Sequence, residues 1–402
     1  MVASSPEGNM LIIKPNTDCL AEIPGAPGNN PALLHSSLRP RLGALTSLRF
    51  FAALHVVLFH MRVVKILDGG PWWYQNFVSI GYVGVNFFFV LSGFILVYTY
   101  SGPPLNARRF WQARFARVYP AYILSLVAAA PFFFFAVRHL DLPFFAWSKN
   151  HLSGACFLTV GLLQAWVPQA ALTWNSVCWS LSVEAFFYGA FPLLLRWCKK
   201  SSPQRLVLWI IACWVISWSF SLAYVLTHPD GLGKINSPET NLFWKNVLSF
   251  NPLARLPEFL IGMLACRLFL TGRVNRRFAT TFVTSGLFGL AIVTILANKI
   301  PNPIISTGLL SPAFALIIYG FALQPRWISF FETPWLLLLG NASYSLYLLH
   351  SIVIMKAFDA MSYLPWFIRA AGALGTAIGA ALLSYDLIEE PARRMLRSRG
   401  GQ

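Results

Sequence analysis

Charge is scarce in this 402-residue chain. Only 11% of its residues are Asp, Glu, Lys or Arg, and just 14 of them are acidic. A soluble globular domain carries about a quarter charged residues, so that class is excluded. So is the disordered class, because 56% of the residues are apolar and mean hydropathy is +0.59. Cysteine is also sparse, six residues with no C-x-x-C pair, which predicts neither a disulfide framework nor a zinc site. No repeat period is visible, which removes the fibrous class. No apolar h-region stands at the N-terminus, so no cleavable signal peptide is read there.

What the chain has instead is long apolar runs. Ten of them, roughly 46–66, 79–99, 118–138, 180–198, 206–226, 252–270, 279–298, 304–323, 335–356 and 365–387, have the ~20 residues needed to cross ~30 Å of hydrocarbon as helix. An eleventh, 154–167, is too short to cross and reads as re-entrant or interfacial. The expected fold is all-α, a polytopic membrane protein of about ten transmembrane helices. Residues 1–42 read as a flexible polar tail rich in Pro, Gly, Asn and Ser, 43–395 as the transmembrane domain, and 396–402 as a short basic tail.

The net charge of +17 would suggest nucleic acid in a soluble protein. Here the basic residues sort by membrane side. With the N-terminus inside and spans alternating, 21 of the 31 Lys and Arg fall on the cytoplasmic side and the remaining 10 on the other, which satisfies the positive-inside rule. Counting 154–167 as a span would destroy that agreement. Both termini are therefore expected in the cytoplasm, and no nucleic-acid partner is expected.

Ionisable residues at membrane depth are costly and mark function. Arg49 and His60 are 11 residues apart, three helical turns plus about 20°, so both point to one face about 16 Å apart. His55 points elsewhere and is read as structural. His350 ends the run Ser343–His350 and falls in the outer third of its span. Glu184 lies near the outer start of the fourth span, with Ser180 one turn before and Tyr188 one turn after it. Two imidazoles and a carboxylate at similar depth could supply a general base and a group that orients it. At the opposite face, Arg114 and Arg117 are i, i+3 neighbours in a basic–aromatic segment. They could grip phosphates through planar forks or anchor the helix on anionic membrane lipids.

These residues carry a resemblance. Arg49-x10-His60, Gly84 to Phe94, Arg114-x-x-Arg117 with Tyr119-Pro120, Trp179-Ser180-Leu181 followed by Glu184, Arg255 to Gly262, Ser343 to His350 and Glu390-Pro391 occur in the order found in acyltransferase-3 membrane proteins. Asn86 stands where that family often has Asp. The chain is similar to these integral-membrane O-acyltransferases from about residue 43 to 395, a group that O-acetylates bacterial polysaccharides, lipopolysaccharide and small glycosides.

The resemblance implies an acyltransferase of the bacterial inner (cell) membrane, with acetyl-CoA as donor substrate and a lipid-linked or exported saccharide as acceptor. It implies no metal. His60 would be the base, Glu184 would orient or charge it, and His350 would be a second acid/base or an oxyanion donor. Ser180 or a histidine could carry a covalent acyl group. Arg114 and Arg117 would bind the nucleotide phosphates of CoA, and Arg49 would continue that positive path as part of the cofactor-binding set. A small glycosylated metabolite is the alternative acceptor, and a polytopic transporter or flippase is the alternative of another class. Trp147, Trp166 and Trp174 could stack on an acceptor sugar or simply sit at the interface.

Overall fold

The computed structural model describes residues 40–102, 104–141, 145–231 and 242–399, with side chains only to 395. The tail read at 1–42 lies almost wholly outside the described residues, as do Cys19 and the side chains of the final basic segment. Among the described residues the secondary structure is helical, with no strand.

Ten principal helices track the apolar runs: α1 Gly43–Val63, α2 Val83–Tyr100, α3 Ala107–His139, α4 Trp179–Lys199, α5 Pro203–Thr227, α6 Pro252–Phe269, α7 Ala279–Ile295, α8 Ser311–Ala322, α9 Pro334–Ala360 and α10 Trp366–Ser384. Nine of these, some with a flanking turn, are long and apolar enough to span a membrane among the described residues. The remaining one is α6. It has 18 residues but carries Arg255, Glu258 and Arg267. It packs against α2, α4, α5 and α8 and meets protein rather than lipid over much of its surface. The chain is a multi-pass integral membrane protein.

Three boundaries differ from the sequence expectation. The basic segment before the third span is not a separate loop: α3 runs for 33 residues, through Pro120 and Pro131, so Arg114 and Arg117 ride on the spanning helix itself. The eighth span is broken. Asn302–Ser306 is one short helix, and α8 begins only at Ser311. The carbonyls freed by that break are taken up internally. Ser306 O accepts from Arg255 Nη1 at 2.5 Å and Asn86 Nδ2 at 3.0 Å, and Thr307 O accepts from Ser217 Oγ at 2.9 Å. Irregular backbone at membrane depth persists where protein satisfies it in this way. Beyond α10, a π-helical turn, Tyr385–Glu389, leads into a last helix, Glu390–Arg399.

The 154–167 run forms a nine-residue helix, Leu152–Val160, and a single 3-10 turn, Gln164–Trp166. Nine residues rise about 14 Å, half a bilayer core. The segment is pinned to the start of α4 by Gln164 Nε2 to Cys178 O at 2.9 Å and Ser182 Oγ to Leu162 O at 2.6 Å.

Lipid supplies no hydrophobic drive between helices, so close backbone approach does the work. A Cβ added at Gly262 of α6 would lie 1.9 Å from Val90 O, and one at Gly93 of α2 would lie 2.1 Å from Phe259 O. The α1–α9 crossing is made the same way: a Cβ at Gly340 would lie 2.2 Å from Thr46 O.

Candidate active site

The α1–α9 crossing brings the two inward imidazoles together. The His60 and His350 ring centroids are 4.8 Å apart, with the planes inclined at 60°. His60 Nδ1 lies 2.9 Å from Val56 O. His350 Nδ1 lies 2.8 Å from Tyr347 O and 3.2 Å from Leu346 O. A backbone carbonyl only accepts, so each Nδ1 carries the hydrogen, and in the neutral ring the lone pair sits on Nε2. The hydrogen-bond network assigns these tautomers. His350 is 0% exposed and its Nε2 has no hydrogen-bond partner; His60 is half-buried. Two lone pairs are thus presented by rings whose other edges are anchored to their own helices.

His55 turns away, as its phase on α1 dictates. It stacks on Phe77 at 4.2 Å and lies 2.8 Å from Phe77 O through Nε2, which ties α1 to the helix Trp72–Ser79.

Ser180 is close to this end but is engaged elsewhere. Its hydroxyl shares a 2.8 Å hydrogen bond with the Tyr347 hydroxyl, and both reach Val177 O, at 3.1 and 2.8 Å respectively. It makes no hydrogen bond with either imidazole among these contacts.

Glu184 is drawn to the other end. Its carboxylate accepts from the Tyr188 hydroxyl and from Ser92 Oγ, the latter at 3.3 Å, and it acts electrostatically on Arg49 and Arg117. Helix direction explains this. From Ser180 to Glu184 the chain advances about 6 Å along α4, and that step carries Glu184 to the arginines rather than to the histidines. The structure therefore does not place it as the group that orients His60.

At the arginine end, Arg49 of α1 and Arg117 of α3 lie within electrostatic reach of one another and of Glu184, Tyr188 and Glu389. Arg114 is half-buried. Its guanidinium hydrogen-bonds the Tyr100 hydroxyl at 3.3 Å and sits 5.8 Å from the Tyr100 and Phe110 ring centres and 6.0 Å from that of Tyr188. That aromatic nest holds Arg114 inside the bundle, unlike a snorkelling lipid anchor.

The site has two paired imidazoles at one end of α1 and a guanidinium cluster at the other. The sequence profile described as an acyltransferase domain, that of the acyltransferase-3 group, matches residues 42–385. The chain belongs to the acyltransferase-3 family. It is 25% identical over 386 residues to "Acyltransferase MdmB" of Streptomyces mycarofaciens, covering 89% of this chain and 93% of that protein. It is 23% identical over 385 residues to "O-acetyltransferase OatA" of Staphylococcus aureus (strain NCTC 8325 / PS 47), covering 90% of this chain but 59% of that longer protein. No solved structure matches. The chain is a membrane acyltransferase, using an acyl donor.

Three features of this acyltransferase escaped the sequence reading of its site. The first is the buried pair Arg255–Glu258, with Nη1 to Oε1 at 3.2 Å and exposures of 2% and 0%. Arg255 also lies 5.5 Å from the Phe89 ring centre and 5.7 Å from that of Trp179. Asn86 Oδ1 accepts from Arg255 Nη2 at 2.9 Å while Asn86 Nδ2 donates to Ser306 O. A carboxylate could not make that donation, which is a physical reason for Asn at this position. The second is Tyr347, which links Ser180 to the helix of His350. The third is Glu389. The sequence drew attention to Glu390, but the buried acid is its neighbour. Trp174, a possible sugar platform, has its ring stacked on Phe133 at 5.1 Å and its Nε1 donating to Leu126 O at 2.9 Å, a packing role.

Proposed function

We propose that this acyltransferase moves an acetyl group from cytoplasmic acetyl-CoA to a hydroxyl of an exported or lipid-linked saccharide in a bacterial cell membrane. The observation that carries this reading is the paired, carbonyl-anchored imidazoles about 16 Å along α1 from the arginine cluster. A distance of that order suits an extended pantetheine arm, with its phosphates at Arg49, Arg114 and Arg117 and its thioester near His60. The excess of basic residues on the arginine side supports a cytoplasmic donor.

Acyl transfer needs a base, oxyanion stabilisation and positioning. His60, the more open ring, takes the acceptor hydroxyl proton on Nε2. The acceptor oxygen attacks the thioester carbonyl, a C–O bond forms, the C–S bond breaks, and the leaving thiolate recovers the proton from the imidazolium. His350 in this tautomer offers only a lone pair on Nε2, because its Nδ1–H is committed to the backbone, so it is not an oxyanion donor and is left as the second acid/base beside His60. Ser180, tied to Tyr347 and Val177, is not needed as an acyl carrier, and direct transfer is the simpler course.

The test is transfer from radiolabelled acetyl-CoA in inside-out membranes, wild type against His60→Ala at matched protein level. Label entering a lipid-linked or polymeric glycan only with His60 present supports the reading. Equal labelling by both proteins removes His60 from the mechanism, and no label with acceptors supplied removes the donor assignment.

A further inference from the structure

The end of α10 departs from its own periodicity. Ala370, Ala373, Ala377, Ala381 and Ser384 are turned inward at steps of three and four. Continuing that rhythm would turn in Leu387 or Ile388, both apolar. Instead Tyr385–Glu389 form a π-helical turn, Leu387 is 71% exposed, and Glu389 is 3% exposed. One inserted residue rotates the downstream residues by about 100°. The chain has exchanged an apolar residue for a carboxylate at a buried position, which is unfavourable unless the charge has partners.

Glu389 has them. Oε1 accepts from Arg393 Nη2 at 2.7 Å and Oε2 from Ser345 Oγ at 3.1 Å. The π turn packs on α3 and α9, the helices of Arg117 and Ser345, and the carboxylate lies within electrostatic reach of Arg49 and Arg117. Arg393 and Ser345 already satisfy the hydrogen-bonding needs of Glu389. Its field on the two site arginines is an additional effect, and it has the sign of the phosphates those arginines would receive.

We propose that Glu389 is a built-in counter-anion of the donor site, offsetting Arg49 and Arg117 while the site is empty and opposing retention of CoA after transfer. This rests on the donor-site reading above. Arg49 and Arg117 repel one another in the empty protein, and phosphates relieve that repulsion on binding. A fixed carboxylate relieves part of it beforehand, which lowers anion affinity and helps the product leave. The π turn is the device that aims the charge.

The experiment is CoA binding to the full-length protein in nanodiscs, with CoA itself as probe. Glu389→Gln removes the charge and nearly preserves the shape, and it is expected to bind CoA more tightly, by roughly three- to tenfold, the order of effect of one unit charge in a partly buried site. Glu389→Asp keeps the charge and is expected to bind like wild type. A residue with a merely structural role would weaken binding when changed, so equal or weaker binding by Glu389→Gln overturns the proposal. Should that variant misfold, Glu389→Met serves with the same criterion, since Arg393 keeps Glu390 at 3.4 Å as a partner. Arg117→Ala separates the two readings. If it leaves CoA affinity unchanged, the donor-site assignment fails and this inference with it. If it weakens CoA binding while Glu389→Gln changes nothing, only the counter-anion role falls.

Discussion

The α1–α9 crossing makes the sharpest demand on sequence, because the imidazole pair depends on it. A Cβ at Gly340 would lie 2.2 Å from Thr46 O, whereas ordinary contact begins at 3.4 Å. Both atoms belong to helix backbone, so no side chain can swing aside. Gly340→Ala must therefore part the helices by about 1.2 Å at that point, the difference between those two distances. Overpacking of this kind costs about 1–3 kcal/mol. His350 lies ten residues beyond Gly340 on one uninterrupted helix, so the displacement is carried to the ring pair. A shift of ~1 Å in reacting groups costs on the order of a hundredfold in rate. Acetyl transfer per unit protein and the thermal midpoint should both fall in Gly340→Ala. Gly375→Ala on α10 is the control, since a Cβ there meets nothing within 4 Å. Removing a helix-interior glycine should leave stability equal or raised by up to about 1 kcal/mol. Wild-type turnover and melting in Gly340→Ala would refute the claim that this contact sets the site.

Other substitutions test separate parts of the molecule. Arg255→Ala leaves Glu258 buried without its cation and should destabilise by roughly 3–5 kcal/mol, read as a lost or much lowered thermal transition; Glu258→Gln should cost less. A midpoint unchanged in Arg255→Ala would show that the pair is not holding the broken eighth span. Ser180→Ala should keep transfer within about fivefold, since losing the hydroxyl's contacts with Tyr347 and Val177 O costs on the order of 1 kcal/mol net. Abolished transfer in a folded protein would instead mark Ser180 as an acyl carrier. Under the proposed donor site, Arg114→Ala should raise the KM for acetyl-CoA by about tenfold or more and leave kcat nearly unchanged, since a phosphate contact remote from the reacting bond would be uniform binding; a fall in kcat alone would contradict that role.

The amino-acid sequence by itself determined the solvent of this protein and most of its helices. Apolar runs of spanning length admit only one backbone solution in lipid, so the helices lie close to the runs. It also determined which residues share a helix face. The 11-residue spacing of Arg49 and His60 and the opposite phase of His55 obey 3.6 residues per turn, and His55 is found on Phe77. Motif order pointed to the family because it records the same spans in the same sequence.

Only the tertiary structure decided what meets across helices. Equal depth suggested that Glu184 would join the histidines, but depth along one helix does not fix neighbours on another. The antiparallel course of α4 puts it with Arg49 and Arg117. The burial of Glu389 depends on a π turn, which breaks the 3.6 period on which sequence reasoning relies. The contact of His60 with His350 rests on Gly340 and a carbonyl almost 300 positions earlier in the chain, and the pairing of Arg255 with Asn86 rests on two glycines that let α2 and α6 touch. Periodicity is a property of one helix and is written locally. Contact between helices is set by which backbones can approach, and that is known only once all of them are packed.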